Sequence, residues 1–186
     1  MGPGCRHGAI RREWGAVSQP SSHQAGVFRR AESKLGTLEE VCARIAGARA
    51  AGSSVALANG CFDVLHVGHV RYLEAAGAEA DVLVVGVNGD DSVRRLKGED
   101  RPILGERDRA LLVAGLRAVD HVIVFREDDV ASLIRALRPD VHCKGTDYTA
   151  ETVPEREVVR ACGGRVAIVG DAKEHDTRAL FERVRS

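Results

Sequence analysis

The chain has 186 residues, of which 44% are hydrophobic and 29% charged, and its 27 basic and 27 acidic side chains leave no net charge. This length fits one ordinary domain with a real core and argues against two full domains. The balanced charge argues against bulk binding of nucleic acid, and every apolar run is shorter than the roughly 18 residues of a membrane span.

The N-terminal region differs in composition from the rest of the chain. Residues 1–33 mix Gly, Pro, Ser, Gln, His and Arg without apolar periodicity. We therefore predict a disordered basic arm over residues 1–33 and one folded domain over residues 34–186. Residues 1–35 hold six basic and two acidic side chains, so the remainder is mildly acidic. Docking of the arm's arginines on a partner or an anionic surface is an alternative role.

Cysteine usage bears on the compartment. The five cysteines are odd in number and form no C-x-x-C pair. This usage is typical of reduced thiols in a cytoplasmic protein. No apolar segment follows the N-terminal arginines, so we expect no export.

Apolar runs and amphipathic segments alternate from residue 37 onward. A capping box of Thr37 and Glu40 begins a helix that ends at Gly52. Strands are predicted at residues 55–58, 82–87, 121–125, 141–143 and 165–169. Further helices are predicted from near residues 68 and 106 and over residues 130–137, 151–162 and 177–185. This alternation predicts a single α/β domain with a Rossmann-like, doubly wound, five-stranded parallel sheet.

Residues 58–69 join the first predicted strand to the helix that follows it. Asn59-Gly60 is a turn signal, and a helix start near Gly68 exposes unpaired main-chain amides that favour an anion. His66 and His69 lie three residues apart across this start, and each can donate an N–H to one phosphate. Structural histidines are the alternative. The spacing to the nearby cysteine does not match the common zinc motifs.

Polar clusters follow three of the predicted strands, at residues 60–69, 88–102 and 144–148. Because the carboxyl ends of parallel strands meet at one sheet edge, we expect a single site. Asp90 is a candidate site carboxylate, whereas Asp91 fits better as a helix cap. The basic run 94–102 is predicted as a loop, and beside a phosphate site it would form a mobile clamp on anionic substrates.

Several blocks of the sequence resemble a known family. Asn59-Gly60-Cys61-Phe62-Asp63, followed by Leu65-His66-Val67-Gly68-His69, resembles the nucleotide-binding signature of the cytidylyltransferase-like superfamily of nucleotidyltransferases. With Leu96-Lys97-Gly98 and Lys144-Gly145-Thr146-Asp147-Tyr148, the chain resembles in detail the heptose 1-phosphate adenylyltransferases, which make ADP-heptose. A nicotinamide dehydrogenase is disfavoured because no G-x-G-x-x-G follows the first strand.

The resemblance implies roles for the matching positions. In such families the two signature histidines bind the nucleotide phosphates and stabilise the transition state, and a lysine binds phosphate. The catalytic candidates are therefore His66, His69 and Lys97. The nucleotide-binding candidates are Gly60, Cys61, Phe62, Gly68, Asp147, Tyr148 and Thr177. The substrate-binding candidates are Asp63, Asn88, Asp90, Arg107 and Lys144.

The implied reaction is attack by a heptose 1-phosphate on the α-phosphorus of ATP, which releases pyrophosphate and yields ADP-heptose. Magnesium is expected to bridge the phosphate oxygens, and no dedicated protein site for it is visible in the sequence. A separate sugar kinase is expected to supply the substrate. We expect no nucleic-acid or membrane partner, and the resemblance is consistent with a homodimer.

One segment departs from the family pattern. Related enzymes carry several hydroxyl side chains at the start of the last helix, whereas residues 174–178 keep only Thr177. Asp176 would repel a triphosphate unless magnesium or Arg178 intervenes. The open alternatives are a cytidylyltransferase acting on glycerol 3-phosphate or another phosphoalcohol, an FMN adenylyltransferase, and a nucleotide-binding protein without catalysis.

Overall fold

A computed structural model describes residues 30–171, in which helices and strands alternate. The helices are α1 (Ala31–Lys34), α2 (Leu38–Ala50), α3 (Val67–Gly77), α4 (Asp90–Lys97), α5 (Glu106–Ala114), α6 (Ala131–Leu137) and α7 (Arg156–Ala161). The strands are β1 (Val55–Gly60), β2 (Val82–Asn88), β3 (His121–Phe125), β4 (Val141–Lys144) and β5 (Arg165–Ile168).

The strands form one parallel sheet in the order β3-β2-β1-β4-β5. The chain adds β2 and β3 on one side of β1, and then β4 and β5 on the other. The point at which the winding direction reverses therefore lies between β1 and β4, where ligands bind in open sheets of this type. This topology confirms the predicted Rossmann-like, doubly wound fold in a single domain.

Both faces of the central strand β1 are buried. Ala56 and Ala58 pack in a cluster with Leu73 of α3, whereas Val55 and Leu57 pack in a second cluster formed with α2, α6 and α7. These four side chains are fully buried, which explains why this part of β1 is a continuous apolar run. Among residues 30–171, no helix combines the length and apolarity that crossing a membrane requires.

The predicted capping box at the start of α2 is confirmed. The Oγ1 atom of Thr37 accepts the N–H of Glu40 at 3.2 Å, and Oε2 of Glu40 accepts the N–H of Thr37 at 2.9 Å. The helix ends before Gly52, whose φ is +88°. Glycine adopts this φ without steric cost.

Two element boundaries differ from the sequence prediction. Strand β1 continues through Asn59-Gly60, because these residues pair with Gly86 and Val87 of β2. Helix α7 begins at Arg156 and not at residue 151. Pro154 disfavours helical geometry in the residue before it, so the helix starts only after the proline.

Helix α4 differs from the prediction at both of its ends. Residues 94–97, predicted as part of a loop, form the last turn of this helix. Asp91 is not the N-cap, because Gly89 occupies that position. The first N–H of the helix, that of Asp90, donates instead to Oε2 of Glu106 at 3.0 Å. A side chain from a later helix thus replaces the local cap.

The N-terminal boundary falls inside α1. Residues 31–33, assigned above to the arm, form this helix together with Lys34, whose Nζ donates to the carbonyl of Leu116 at 2.9 Å. Leu35 then pairs with Val122 of β3. Residues 1–29 and 172–186 lie outside the described residues, and so do the rest of the predicted arm and the helix predicted over 177–185.

Candidate active site

The turn between β1 and α3 is tight and strained. A Cβ atom on Gly60 would lie 3.2 Å from the ring of Phe62. Phe62 and Val64 have φ angles of 49° and 61°. A positive φ is rare in a β-branched residue and costs about 1–2 kcal/mol. Such strain concentrates at functional sites, and here it directly precedes the two histidines.

His66 and His69 form a capping box at the start of α3. Nδ1 of His66 accepts the N–H of Gly68 at 3.2 Å, and Nδ1 of His69 accepts the N–H of His66 at 3.4 Å. Because each Nδ1 is an acceptor, the neutral rings carry their proton on Nε2. The ring centroids are 3.9 Å apart. Two Nε2–H donors therefore lie close together at a helix N-terminus, an arrangement that favours an anion.

Lys97 lies close enough to this pair to affect its protonation. Burial, with smaller contributions from His66 and Lys97, lowers the pKa of His69 to about 4. Burial raises the pKa of the Cys61 thiol, and the positive charge of Lys97 offsets part of this rise. At neutral pH His69 is therefore an uncharged hydrogen-bond donor, with the cation of Lys97 in its vicinity.

Asp63 anchors the loop that follows α4. Its carboxylate is fully buried and pairs with Nη1 of Arg101 at 2.7 Å. The N–H groups of Ile103 and Leu104 donate to Oδ1 at 2.8 and 3.4 Å. Burial alone would raise the pKa of Asp63, but these hydrogen bonds outweigh it and lower the pKa. Asp63 therefore fixes residues 101–104 beside the histidine turn.

Arg109 joins three segments around the same turn. This fully buried guanidinium donates to the carbonyls of Cys61 and Leu104 and to Oδ1 of Asp90. No role was predicted for Arg109, which the sequence places in the charged first turn of a helix. One available signal was its position four residues before Val113, on the apolar face of α5.

A second polar group lies at the switch point of the sheet. Nζ of Lys144, at the end of β4, donates to Oδ1 of Asn59 on β1 at 3.1 Å. It also lies 3.3 Å from both carboxylate oxygens of Glu155 and 5.4 Å from the ring centroid of Tyr148. The polar contact between Asn59 and Lys144 thus spans the crevice where the winding direction reverses.

The sequence pattern of a known family, described as cytidylyltransferase-like, matches residues 57–181. The match includes most of β1, the histidine turn, the switch point and Lys144. The chain belongs to the cytidylyltransferase-like family.

Several curated relatives of this cytidylyltransferase-like chain share one name. The bifunctional protein HldE of Geobacter sulfurreducens is 46% identical over 153 residues, which cover 82% of this chain and 31% of that protein. HldE of Bradyrhizobium sp. (strain ORS 278) is 49% identical over 160 residues, which cover 86% of this chain and 33% of that protein. The chain therefore spans about a third of the length of these relatives.

A solved structure shares the fold. The crystal structure of the lipopolysaccharide core biosynthesis protein from Thermoplasma volcanium GSS1 is similar, with a TM-score of 0.57 and 29% sequence identity. The similarity covers 66% of this chain and all of that chain. It supports the Rossmann-like architecture of the cytidylyltransferase-like domain.

The structure brings some of the predicted site residues together. The histidine pair and Gly68 lie at the start of α3, Cys61 follows the end of β1, and Lys97 at the end of α4 is near enough for its charge to act on His69 and Cys61. Phe62 is buried beneath this group, with its ring centroid 5.3 Å from that of His69. These positions suit phosphate contacts, and the individual roles stay predictions.

The other predicted residues of the cytidylyltransferase-like chain have different surroundings. Asn88 is buried, and its amide donates to Oγ of Ser92 at 3.1 Å. Arg107 is exposed on α5, and Asp147 is exposed in the turn after β4. Thr177 lies outside the described residues, together with Asp176 and Arg178.

The described part of the site contains no ready-made cluster of metal-ligating side chains. Within residues 30–171, no group of three or more His, Cys, Asp or Glu side chains could hold an ion. The buried carboxylate of Asp63 is already bound to Arg101.

Proposed function

We propose that the chain transfers AMP from ATP to a heptose 1-phosphate and releases pyrophosphate and ADP-heptose. The observation that carries this proposal is the histidine pair at the start of α3, because each ring accepts a main-chain N–H at Nδ1 and so carries its proton on Nε2, the atom that would bond a phosphate oxygen. Identities of 46% and 49% to HldE proteins, together with the signature blocks of residues 59–69 and 144–148, favour the heptose substrate over others.

The proposed mechanism is a single displacement at phosphorus. A phosphate oxygen of heptose 1-phosphate attacks the α-phosphorus of ATP, so that one P–O bond forms while the bond to the β-phosphate oxygen breaks. The electron pair of the broken bond leaves with pyrophosphate. Because the nucleophile is already an anion, no strong general base is needed, and catalysis rests on positioning and charge stabilisation.

The residues of the histidine turn supply that stabilisation. His66 and His69 donate from Nε2 to phosphate oxygens at the N-terminus of α3, and Lys97 adds a positive charge from the end of α4. Preorganised donors of this kind contribute a factor of about 10² to 10³ each to the rate. No covalent enzyme intermediate is formed.

The wider context of the reaction is part of the same proposal. Magnesium enters with ATP, and no step depends on a protein ligand for it. The reaction requires a phosphorylated sugar, so we infer that a sugar kinase acts before it. ATP and sugar phosphates are cytoplasmic metabolites, so we place the reaction in the cytoplasm. A homodimer stays a prediction.

The test is a substrate panel assayed for pyrophosphate release. ATP and CTP are each combined with heptose 1-phosphate, glycerol 3-phosphate and FMN. We expect release with ATP and heptose 1-phosphate, together with a stoichiometric amount of ADP-heptose. Release only with CTP and glycerol 3-phosphate, or only with ATP and FMN, would replace the heptose assignment by that activity. ATP binding without turnover of any pair would indicate that catalysis is lost.

A further inference from the structure

Glu155 is a buried acid that the proposed reaction does not use. It lies at the N-cap position of α7, and 8% of its surface is exposed. Both of its carboxylate oxygens lie 3.3 Å from Nζ of Lys144, whose side chain is 9% exposed. A buried acid in contact with a buried lysine needs an explanation, because burying two charges is costly unless their geometry is well satisfied.

The surroundings of Glu155 show that its charge is kept. The fully buried ring of His142 lies 3.8 Å from Oε2. Burial alone would raise the pKa of Glu155, but His142 and the charge of Lys144 lower it to about 2. Burial lowers the pKa of His142 itself, so that ring is neutral at pH 7. The cluster therefore holds one positive and one negative charge, and the negative charge faces Lys144.

The lysine that Glu155 contacts lies at the switch point. Nζ of Lys144 is also bonded to Asn59, at 3.1 Å, so the ammonium is held from two sides. Asn59 belongs to β1 and Lys144 to β4, the two strands between which the winding reverses. Glu155 and Lys144 are both nearly buried, but Nζ of Lys144 lies 5.4 Å from the ring of Tyr148, whose side chain is exposed in the turn after β4.

We propose that Glu155 is a positioning residue that acts through Lys144. By holding the ammonium against Asn59, it fixes the donor at the switch-point end of the crevice, and it neutralises the charge of this end. Without Glu155, Lys144 would turn towards solvent or towards the phosphates at the histidine pair. The inference rests on the proposed function, since it assumes that nucleotide and sugar phosphate occupy this crevice.

The first test compares Glu155→Gln with Glu157→Gln. The first change keeps the shape of the side chain and removes its charge. The control makes the same chemical change on the same helix, at an exposed residue that pairs with Arg156 on the surface. We expect Glu155→Gln to raise KM for ATP or for the sugar phosphate about tenfold while kcat stays within about threefold, because the transition-state donors are untouched. Glu157→Gln should match the wild type.

A double-mutant cycle tests whether Glu155 acts through Lys144. In the Lys144→Met background, Glu155→Gln should cause no further loss of ATP affinity, measured by calorimetry. Glu155→Asp keeps the charge and should recover most of the affinity lost in Glu155→Gln. This variant also supplies a readout if Glu155→Gln folds poorly.

The outcomes separate this inference from the proposed function. If the wild type releases no pyrophosphate with any substrate pair, the proposed function fails, and the binding cycle still reports on Glu155. If the wild type is active and Glu155→Gln lowers only the melting temperature, the residue is merely structural and the inference is overturned. The inference would also be overturned if adding Glu155→Gln to Lys144→Met lowered ATP affinity as much as Glu155→Gln does alone.

Discussion

The two imidazoles of the site divide their tasks between their nitrogen atoms. Nδ1 of each ring accepts a main-chain N–H at the start of α3, and this contact leaves the proton on Nε2. His66 is thus a helix cap as well as a candidate catalytic donor. A change to alanine removes both tasks at once, so a variant that separates them is more informative.

His66→Asn separates capping from catalysis. Asparagine is a favourable N-cap residue whose Oδ1 can accept the N–H of Gly68, but it places no donor where Nε2 lies. We expect turnover to fall by about 10² to 10³ while the free energy of unfolding changes by less than about 1 kcal/mol. Pyrophosphate release and urea unfolding measure the two effects. His69→Ala should lose a similar factor in rate, and near-normal turnover by either folded variant would contradict the assignment.

The depressed pKa of His69 predicts a pH dependence of stability. The folded pKa is about 4, below the ordinary value of 6.5. As the pH falls from 6.5 towards 4, the unfolded chain binds a proton at His69 that the folded chain does not, so the free energy of unfolding decreases. We expect this decrease to be smaller in His69→Gln by on the order of 1 kcal/mol. Urea unfolding at pH 6.5 and 4.5 measures the decrease in the wild type and in His69→Gln. Equal decreases in the two proteins would contradict the prediction for His69.

At the scale of elements, the loop of residues 98–105 is held to the body of the domain by its contacts with Asp63. The pair with Arg101 joins residues 38 positions apart in sequence, and two main-chain N–H groups add to it. Lys97 lies at the end of the helix that leads into this loop. The order of the loop therefore bears on the position of a candidate catalytic residue.

Asp63→Asn should weaken this anchor strongly. The change removes the charge that pairs with Arg101, and breaking a buried pair costs about 3 kcal/mol. The matched control is Asp128→Asn, which removes an exposed partner of Arg95 and should cost less than about 1 kcal/mol. Urea unfolding of the purified variants measures both values. Equal losses in the two variants would show that burial gives the Asp63 pair no special weight.

At the scale of the whole molecule, the site is assembled from the carboxyl ends of several strands, so a bound nucleotide should stabilise the entire domain. A ligand present at a hundred times its Kd adds about 2.7 kcal/mol to the free energy of unfolding. Contacts such as those of Arg109 link the β1 turn with α4 and α5.

ATP should therefore raise the melting temperature by about 5 °C or more at saturating concentration. CTP at the same concentration should give a clearly smaller shift, because the proposed substrate is ATP. Differential scanning fluorimetry with magnesium present makes the comparison. A larger shift with CTP would favour the cytidylyltransferase alternative over the heptose assignment.

Local patterns in the sequence were sufficient to predict much of this protein. Short runs rich in apolar residues marked the five strands, the Thr37 capping box marked the start of α2, and apolar residues spaced three and four apart after Gly68 marked the start of α3. These signals are local, since the period of a strand or helix and the chemistry of a cap depend on residues a few positions apart. The parallel topology followed from the alternation of strands and helices.

Only the tertiary structure decided which charged side chains work together. Asp63 pairs with Arg101, Arg109 reaches Cys61, and Lys144 meets Asn59 across separations of 38, 48 and 85 residues. With 27 basic and 27 acidic side chains, spacing alone does not select a partner. Partners are selected when strand pairing and burial bring distant residues into one low-dielectric region, where unpaired charges are costly and paired ones persist.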